Sequence, residues 1–158
     1  MSDRTLVKMT FPGIARSASL ARRWVADVLT AAGHQDVDGA RLITSELFAN
    51  AVLHTGSGRA GGLVTIEVFE IGHALARIEV IDEVPTLREP SNGDCGGRGL
   101  RLVHESSIRW GIRAMPPRRN SVWVEVSTLM VLGASEYSSW SDGAAASARE
   151  APSANVHS

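Results

Sequence analysis

Two polar residues stand out in an otherwise apolar stretch of the chain. Glu46 and Asn50 are four residues apart, with Leu47, Phe48 and Ala51 beside them. Residues at this spacing share one side of a helix, so the carboxylate and the carboxamide would project together. The Asn oxygen suits Mg²⁺, and the carboxylate could polarise a water or hydroxyl near phosphates that Mg²⁺ shares. The alternative is a polar pair at the solvated edge of an amphipathic helix.

A second carboxylate ends a predicted strand over residues 74–82. Ala76, Ile78 and Val80 alternate on one face of this strand, which places Asp82 on the same apolar face at the strand end. There Asp82 could accept a hydrogen bond from an exocyclic amine or a backbone donor inside a pocket. The alternative is a residue that caps the strand or turns the chain, which is common for Asp.

A glycine-containing turn precedes the third predicted helix. Gly97, Arg98, Gly99 and Leu100 follow one another, and glycines at a helix start let backbone N–H groups approach an anion. The alternative is an ordinary loop-to-helix turn. The turn lacks the Lys-Ser/Thr ending of a P-loop and does not follow a parallel strand.

The elements that must position these residues are helices, recognised by an apolar period of 3.6 residues, and strands, recognised by a period of 2. The predicted class is α+β, a two-layer α/β sandwich with the helices on one face of a mixed, mostly antiparallel sheet. On the first helix we predict an apolar stripe of Leu20, Trp24, Val28 and Ala31. The predicted order is strand 5–11, helices 14–32 and 36–54, strands 63–71 and 74–82, a loop, a helix from 97, and a hairpin of strands 108–115 and 121–130. We predict that Trp110 and Trp123 pack on the inner side of this hairpin.

Composition bounds the class of protein. The chain has 158 residues, 44% of them hydrophobic, and a formal net charge of −1, which does not favour nucleic acid or anionic lipid as partners. Cys95 is the only cysteine, which excludes an internal disulfide. With no signal peptide and no apolar run near the ~20 residues of a membrane helix, the prediction is a cytoplasmic protein. We predict one domain over residues 1–132 and a disordered Ala/Ser-rich tail over 133–158.

The order of these motifs resembles the GHKL superfamily of ATP-binding domains, to which histidine-kinase catalytic domains belong. The resemblance is carried by residues 42–54, by Val80-Ile81-Asp82 and by residues 97–103. Within the superfamily, the chain is most similar to stand-alone bacterial anti-sigma-factor serine kinases. One departure is Asp82-Glu83-Val84, where the family pattern is Asp-x-Gly.

The resemblance implies ATP and Mg²⁺ as cofactors and assigns a role to each candidate. Asn50 would hold Mg²⁺ at the ATP phosphates, Glu46 would be the general base that activates a serine hydroxyl on a partner protein, and Asp82 would accept from the adenine amino group. Residues 83–95 would form a lid. Gly97 and Gly99, with Arg98 and Leu100, would cradle the phosphates, and Ser121 would lie near the adenine end.

Two functions from different classes remain open. The first is a serine kinase that binds a partner, such as a sigma factor, and phosphorylates an anti-anti-sigma antagonist. The second is a protein-binding module without phosphoryl transfer, in which nucleotide, if bound at all, sets the conformation of a partner-binding surface. The altered Asp82-Glu83-Val84 sequence favours this second function. Relatives of this size often dimerise through the sheet or the first helices, so a homodimer is a further expectation.

Overall fold

The sheet is built from five antiparallel strands. The computed structural model describes residues 3–83 and 99–129; residues 84–95 of the expected lid, Gly97, Arg98 and the predicted tail over 133–158 lie outside them. The strand order is β1-β2-β3-β5-β4, and every neighbouring pair is antiparallel. The strands are β1 (Arg4–Pro12), β2 (Leu63–Gly72), β3 (Leu75–Glu83), β4 (Arg109–Met115) and β5 (Arg119–Ser127).

Within the described ranges, three helices form the second layer. They are α1 (Ser17–Ala31), α2 (Asp38–His54) and α3 (Gly99–Ser106), and a 3-10 turn (Gly56–Gly58) follows α2. The core lies between this layer and the sheet, with Phe48 fully buried at its centre and Phe11 in edge contact with it. The two-layer α+β prediction is therefore confirmed. No helix in these two ranges is long and apolar enough to cross a membrane.

The buried side of α1 differs from the predicted stripe. Leu20 is 59% exposed, whereas the buried positions are Ser17, Ala21, Val25, Ala26 and Leu29. The predicted stripe was wrong at Leu20 and Ala31, which are both exposed. Small residues fit where two helices pack closely, and α1 packs along α2.

The outer face of the sheet, which points away from the helices, carries buried charge. Glu125 is fully buried, and Arg77 and Arg109 bind it at 2.6 and 2.7 Å. Burial alone would raise the pKa of Glu125, but the hydrogen bonds from the two arginines outweigh it and hold that pKa below its ordinary value. The outer face of β3 thus carries side chains that form ion pairs with residues of β4 and β5.

The two tryptophans of the last hairpin lie on opposite faces. Trp110 pairs with the buried Val124 and lies on the helix side, where its indole N–H donates to His104. Trp123 pairs with Glu79 and Gly111 on the outer face, under the Arg77 guanidinium at 5.2 Å from the ring centroid. The prediction that Trp123 packs on the inner side was wrong: the alternation that places Val122 and Val124 on the helix side puts Trp123 on the outer face, where it makes a cation–π contact.

Replacing Gly111 by alanine is expected to destabilise the protein by about 1–3 kcal/mol, because the site is already filled. A β-carbon at this position would lie 2.8 Å from the Trp123 ring. Gly39→Ala in α2 is the matched control, since a β-carbon there meets nothing within 4 Å. Urea unfolding measures the free energy of unfolding of both variants. Equal values for the two would contradict this packing.

Candidate functional site

The polar pair on α2 lies at the edge of the buried helix face. Glu46 and Asn50 are both half-buried, beside the buried stripe that Ile43, Leu47 and Ala51 form. The helix starts where the Asp36 carboxylate accepts a hydrogen bond from the Asp38 N–H at 3.1 Å. The pair is therefore partly shielded from solvent, yet it keeps a side on which a ligand can reach it.

Asp82 is a buried carboxylate at the end of β3. It follows Ala76, Ile78 and Val80 on the helix-facing side of β3, as the alternation predicts, and is 7% exposed. Its Oδ1 atom makes no hydrogen bond within the described ranges. Burial raises the pKa of Asp82 to about 6 from 3.8. An unpaired buried acceptor is costly, so this position fits a ligand that brings a donor.

The ends of α2 and β3 meet at the same end of the molecule. The 3-10 turn that follows α2 places Ser57 against β3, and the Ser57 hydroxyl accepts a hydrogen bond from the Glu83 N–H at 2.9 Å. Glu83 directly follows Asp82 in the chain. The structure thus brings the last turns of α2, which carry Asn50, towards the strand end that carries Asp82.

The glycine turn is described only in part. Gly99 is the first residue of α3, and Leu100 follows it in the helix, while Gly97 and Arg98 lie outside the described ranges. Helix α3 packs against α2, and its Val103 is buried in the core. The start of α3 has the glycine that the sequence motif requires for close approach of a ligand to the helix N-terminus.

Ser121 is separated from the other candidates by the sheet. It pairs with Ile81, so it lies on the outer face, and its hydroxyl donates to Glu79. Asn120 is the residue that pairs with Asp82 on the helix-facing side. Sequence reasoning missed Asn120, although counting every second residue back from the buried Val124 would have placed it there.

The oxygen ligands that Glu46 and Asn50 offer suit a metal cation that keeps several of its bound waters. Among residues 3–83 and 99–129, no group of three His, Cys, Asp or Glu side chains could hold a metal ion. Asn50, with Glu46 one turn away, therefore offers a single neutral oxygen and one carboxylate. Mg²⁺ is commonly bound through one or two protein oxygens together with waters and substrate phosphates, so these residues fit it.

Asp82→Asn is expected to stabilise the ligand-free protein above pH 6, by about 1–3 kcal/mol. The folded pKa lies above the unfolded value, so the folded protein binds the extra proton between pH 3.8 and about 6. The wild-type carboxyl therefore costs stability as pH rises through this window, and the neutral amide does not. Chemical unfolding of both proteins from pH 4 to 8 measures the difference. A difference that is independent of pH would contradict the assignment.

Comparison with known families assigns the chain to a family. A family model described as the histidine kinase-like ATPase domain matches residues 11–125. The matched range starts at the end of β1, contains all three helices and ends in β5. No curated protein matches the chain. Since the family model covers most of the chain and the fold agrees with the motif order, the chain belongs to the histidine kinase-like ATPase domain family, whose members bind ATP.

Proposed function

We propose that this protein is a Mg-ATP-dependent serine kinase that regulates transcription by partner switching. It would bind a sigma factor and phosphorylate a serine of an anti-anti-sigma antagonist. The observation that carries the proposal is Glu46, a half-buried carboxylate one helical turn before Asn50. ATP binding alone requires Asn50 and Asp82 but does not require a base at position 46.

Each residue has a distinct task in the proposed reaction. Asp82 accepts from the adenine amino group and orients the nucleotide. Asn50 holds Mg²⁺, which when bound offsets charge on the phosphates. Glu46 takes the proton of the partner's serine hydroxyl as the serine oxygen bonds to the γ-phosphorus and the bond from that phosphorus to ADP breaks.

The partners we propose are proteins, and the site of action is the cytoplasm. A net charge of −1 gives no general attraction to nucleic acid, so regulation would pass through protein contacts. We also propose a homodimer in which each of the two chains has its own nucleotide site, an arrangement that is compatible with partner switching.

A non-catalytic binding module is the second candidate. Glu83-Val84 follow Asp82 where the family pattern has a glycine two positions on, and glycine gives a backbone more room beside a ligand. In this alternative the nucleotide sets the conformation of a partner-binding surface, and no phosphoryl group is transferred.

A transfer assay with γ-labelled ATP separates the two candidates. Purified protein is incubated with Mg-ATP and a candidate antagonist protein, and saturable ATP binding is measured in parallel. Label on an antagonist serine supports the kinase, whereas binding without transfer to any antagonist tested favours the binding module. Absence of ATP binding at millimolar concentration would contradict both.

A further inference from the structure

Ser57 is a buried residue to which the proposed reaction gives no task. It lies in the 3-10 turn after α2 and is fully buried. Its hydroxyl accepts from the Glu83 N–H, a bond between residues 26 positions apart in the chain. A buried hydroxyl bound to backbone at such a sequence distance fixes two segments relative to each other.

The Glu83 N–H lies where the sheet leaves one side of β3 open. Strand β5 pairs with β3 as far as Glu83, opposite Arg119. Strand β2 pairs with β3 only as far as Ile81, opposite Thr65. Beyond Ile81, where β2 no longer pairs with β3, the Ser57 hydroxyl supplies the acceptor for the backbone N–H of Glu83.

Ser57 is itself held by the end of α2. The Thr55 hydroxyl donates to the Ala51 carbonyl at 2.6 Å and accepts from the Ser57 N–H at 3.1 Å. A continuous path of hydrogen bonds thus runs from the last turn of α2 through Thr55 and Ser57 to the residue after Asp82. Through this path the helix that carries Asn50 fixes the strand end that carries Asp82.

The orientation of the Asp82 carboxylate is set by the position of its backbone. Its Oδ1 atom has no hydrogen bond among residues 3–83 and 99–129, so no donor within those ranges orients that oxygen. We propose that Ser57 is a positioning residue for base recognition: its hydroxyl fixes the end of β3 so that the Asp82 carboxylate points at the exocyclic amino group of the nucleobase. This inference rests on the proposed role of Asp82 in binding adenine.

The test compares ATP with inosine triphosphate, in which a carbonyl replaces the amino group. Dissociation constants of both Mg-nucleotides are measured by calorimetry for the full chain, wild type and Ser57→Ala. We expect Ser57→Ala to weaken ATP binding by about tenfold, the value of one hydrogen bond to a charged group, and to leave inosine triphosphate nearly unchanged. The preference for ATP is then lost, whereas a general loss of structure would weaken both nucleotides.

Thr128→Ala is the matched control for the loss of a buried hydroxyl. Thr128 is buried and bonds to His34 Nδ1 at 2.6 Å, and its N–H donates to Ala74 at the opposite end of β3 from Asp82. This variant is expected to lose stability and keep the preference for ATP. Ser57→Thr, which keeps the acceptor oxygen, is expected to keep the preference too. Should Ser57→Ala fail to fold, Ser57→Cys replaces it, because sulfur keeps the volume but accepts poorly.

The outcomes separate this inference from the proposed function. A wild-type protein that binds both nucleotides equally would overturn the role of Asp82 in adenine binding, and with it the inference. A wild-type preference for ATP that Ser57→Ala keeps would overturn the role of Ser57 alone. A preference lost in Ser57→Ala and kept in Thr128→Ala and Ser57→Thr supports it.

Discussion

Replacing Glu46 by glutamine is expected to abolish phosphoryl transfer and to leave Mg-ATP binding nearly unchanged. The amide has the shape of the carboxylate but cannot take a proton from a serine hydroxyl. Loss of a general base typically slows a reaction by about 10²- to 10⁴-fold, which makes this the largest functional effect expected from one substitution in the chain. The rate of label transfer to the antagonist protein measures it, with the dissociation constant of Mg-ATP measured alongside.

Glu67→Gln is the matched control for this change. Glu67 lies in β2 beside Lys8, at 3.5 Å, and pairs with Glu79 on the outer face of the sheet, away from α2. The same chemical change there is expected to leave both transfer and binding at wild-type levels. If Glu46→Gln transferred label at the wild-type rate, Glu46 would not be the base. If the Glu46→Gln variant lost ATP binding together with transfer, Glu46 would contribute to nucleotide binding instead.

The parts of the site that the sequence predicted are those marked by a clear periodicity. Glu46 and Asn50 lie beside a buried stripe of period 3.6, and Asp82 ends an alternation of four buried residues. The element order follows from the same patterns, because each helix or strand is long enough to show its period. Local sequence therefore predicted the two carboxylates and the carboxamide on their elements.

Sequence patterns predicted less reliably which side chains of β5 lie on each face of the sheet. Both faces of this strand are largely buried, one by the core and the other by the ion pairs of Glu79 and Glu125. Hydrophobicity then loses its value as a guide, so Trp123 was assigned to the wrong face. Ser121 shares that outer face and donates to Glu79.

Contacts between distant segments were outside the reach of sequence reasoning. Nothing local pairs Ser57 with Glu83, since their hydrogen bond arises from the point at which β2 stops pairing with β3. The glycine-rich segment after α2, residues 55–62, likewise shows no periodicity that would predict an ordered contact. In the structure Ser57 is fully buried within it, because backbone from three segments converges there.

That convergence predicts a large effect for Gly13→Ala. A β-carbon on Gly13 would lie 1.7 Å from the Ser57 carbonyl oxygen, and the Gly13 N–H donates to the Gly62 carbonyl at 2.9 Å. Gly62 also lies against Ser57, where a β-carbon would come within 2.1 Å of the same oxygen. Because the obstacle is backbone, no side chain can rotate away, and we expect a loss of about 3–5 kcal/mol in the free energy of unfolding.

Gly33→Ala distinguishes this steric cost from the ordinary cost of replacing a glycine. Gly33 has a φ of +94°, which disfavours alanine, but a β-carbon there meets nothing within 4 Å. Its substitution is expected to cost only about 1 kcal/mol. Urea unfolding of both variants gives the comparison. A Gly13→Ala variant no less stable than Gly33→Ala would show that the three backbone segments are not in contact as described.

The same substitution should also reduce the preference for ATP over inosine triphosphate, measured where the variant is still folded. Moving the Ser57 backbone moves the hydroxyl that holds Glu83, so Gly13→Ala would act on Asp82 through Ser57. A double mutant with Ser57→Ala tests that route: the two changes share one effect, so the loss of preference should not add. If the losses added, Gly13 would influence the nucleotide by a path that does not include Ser57.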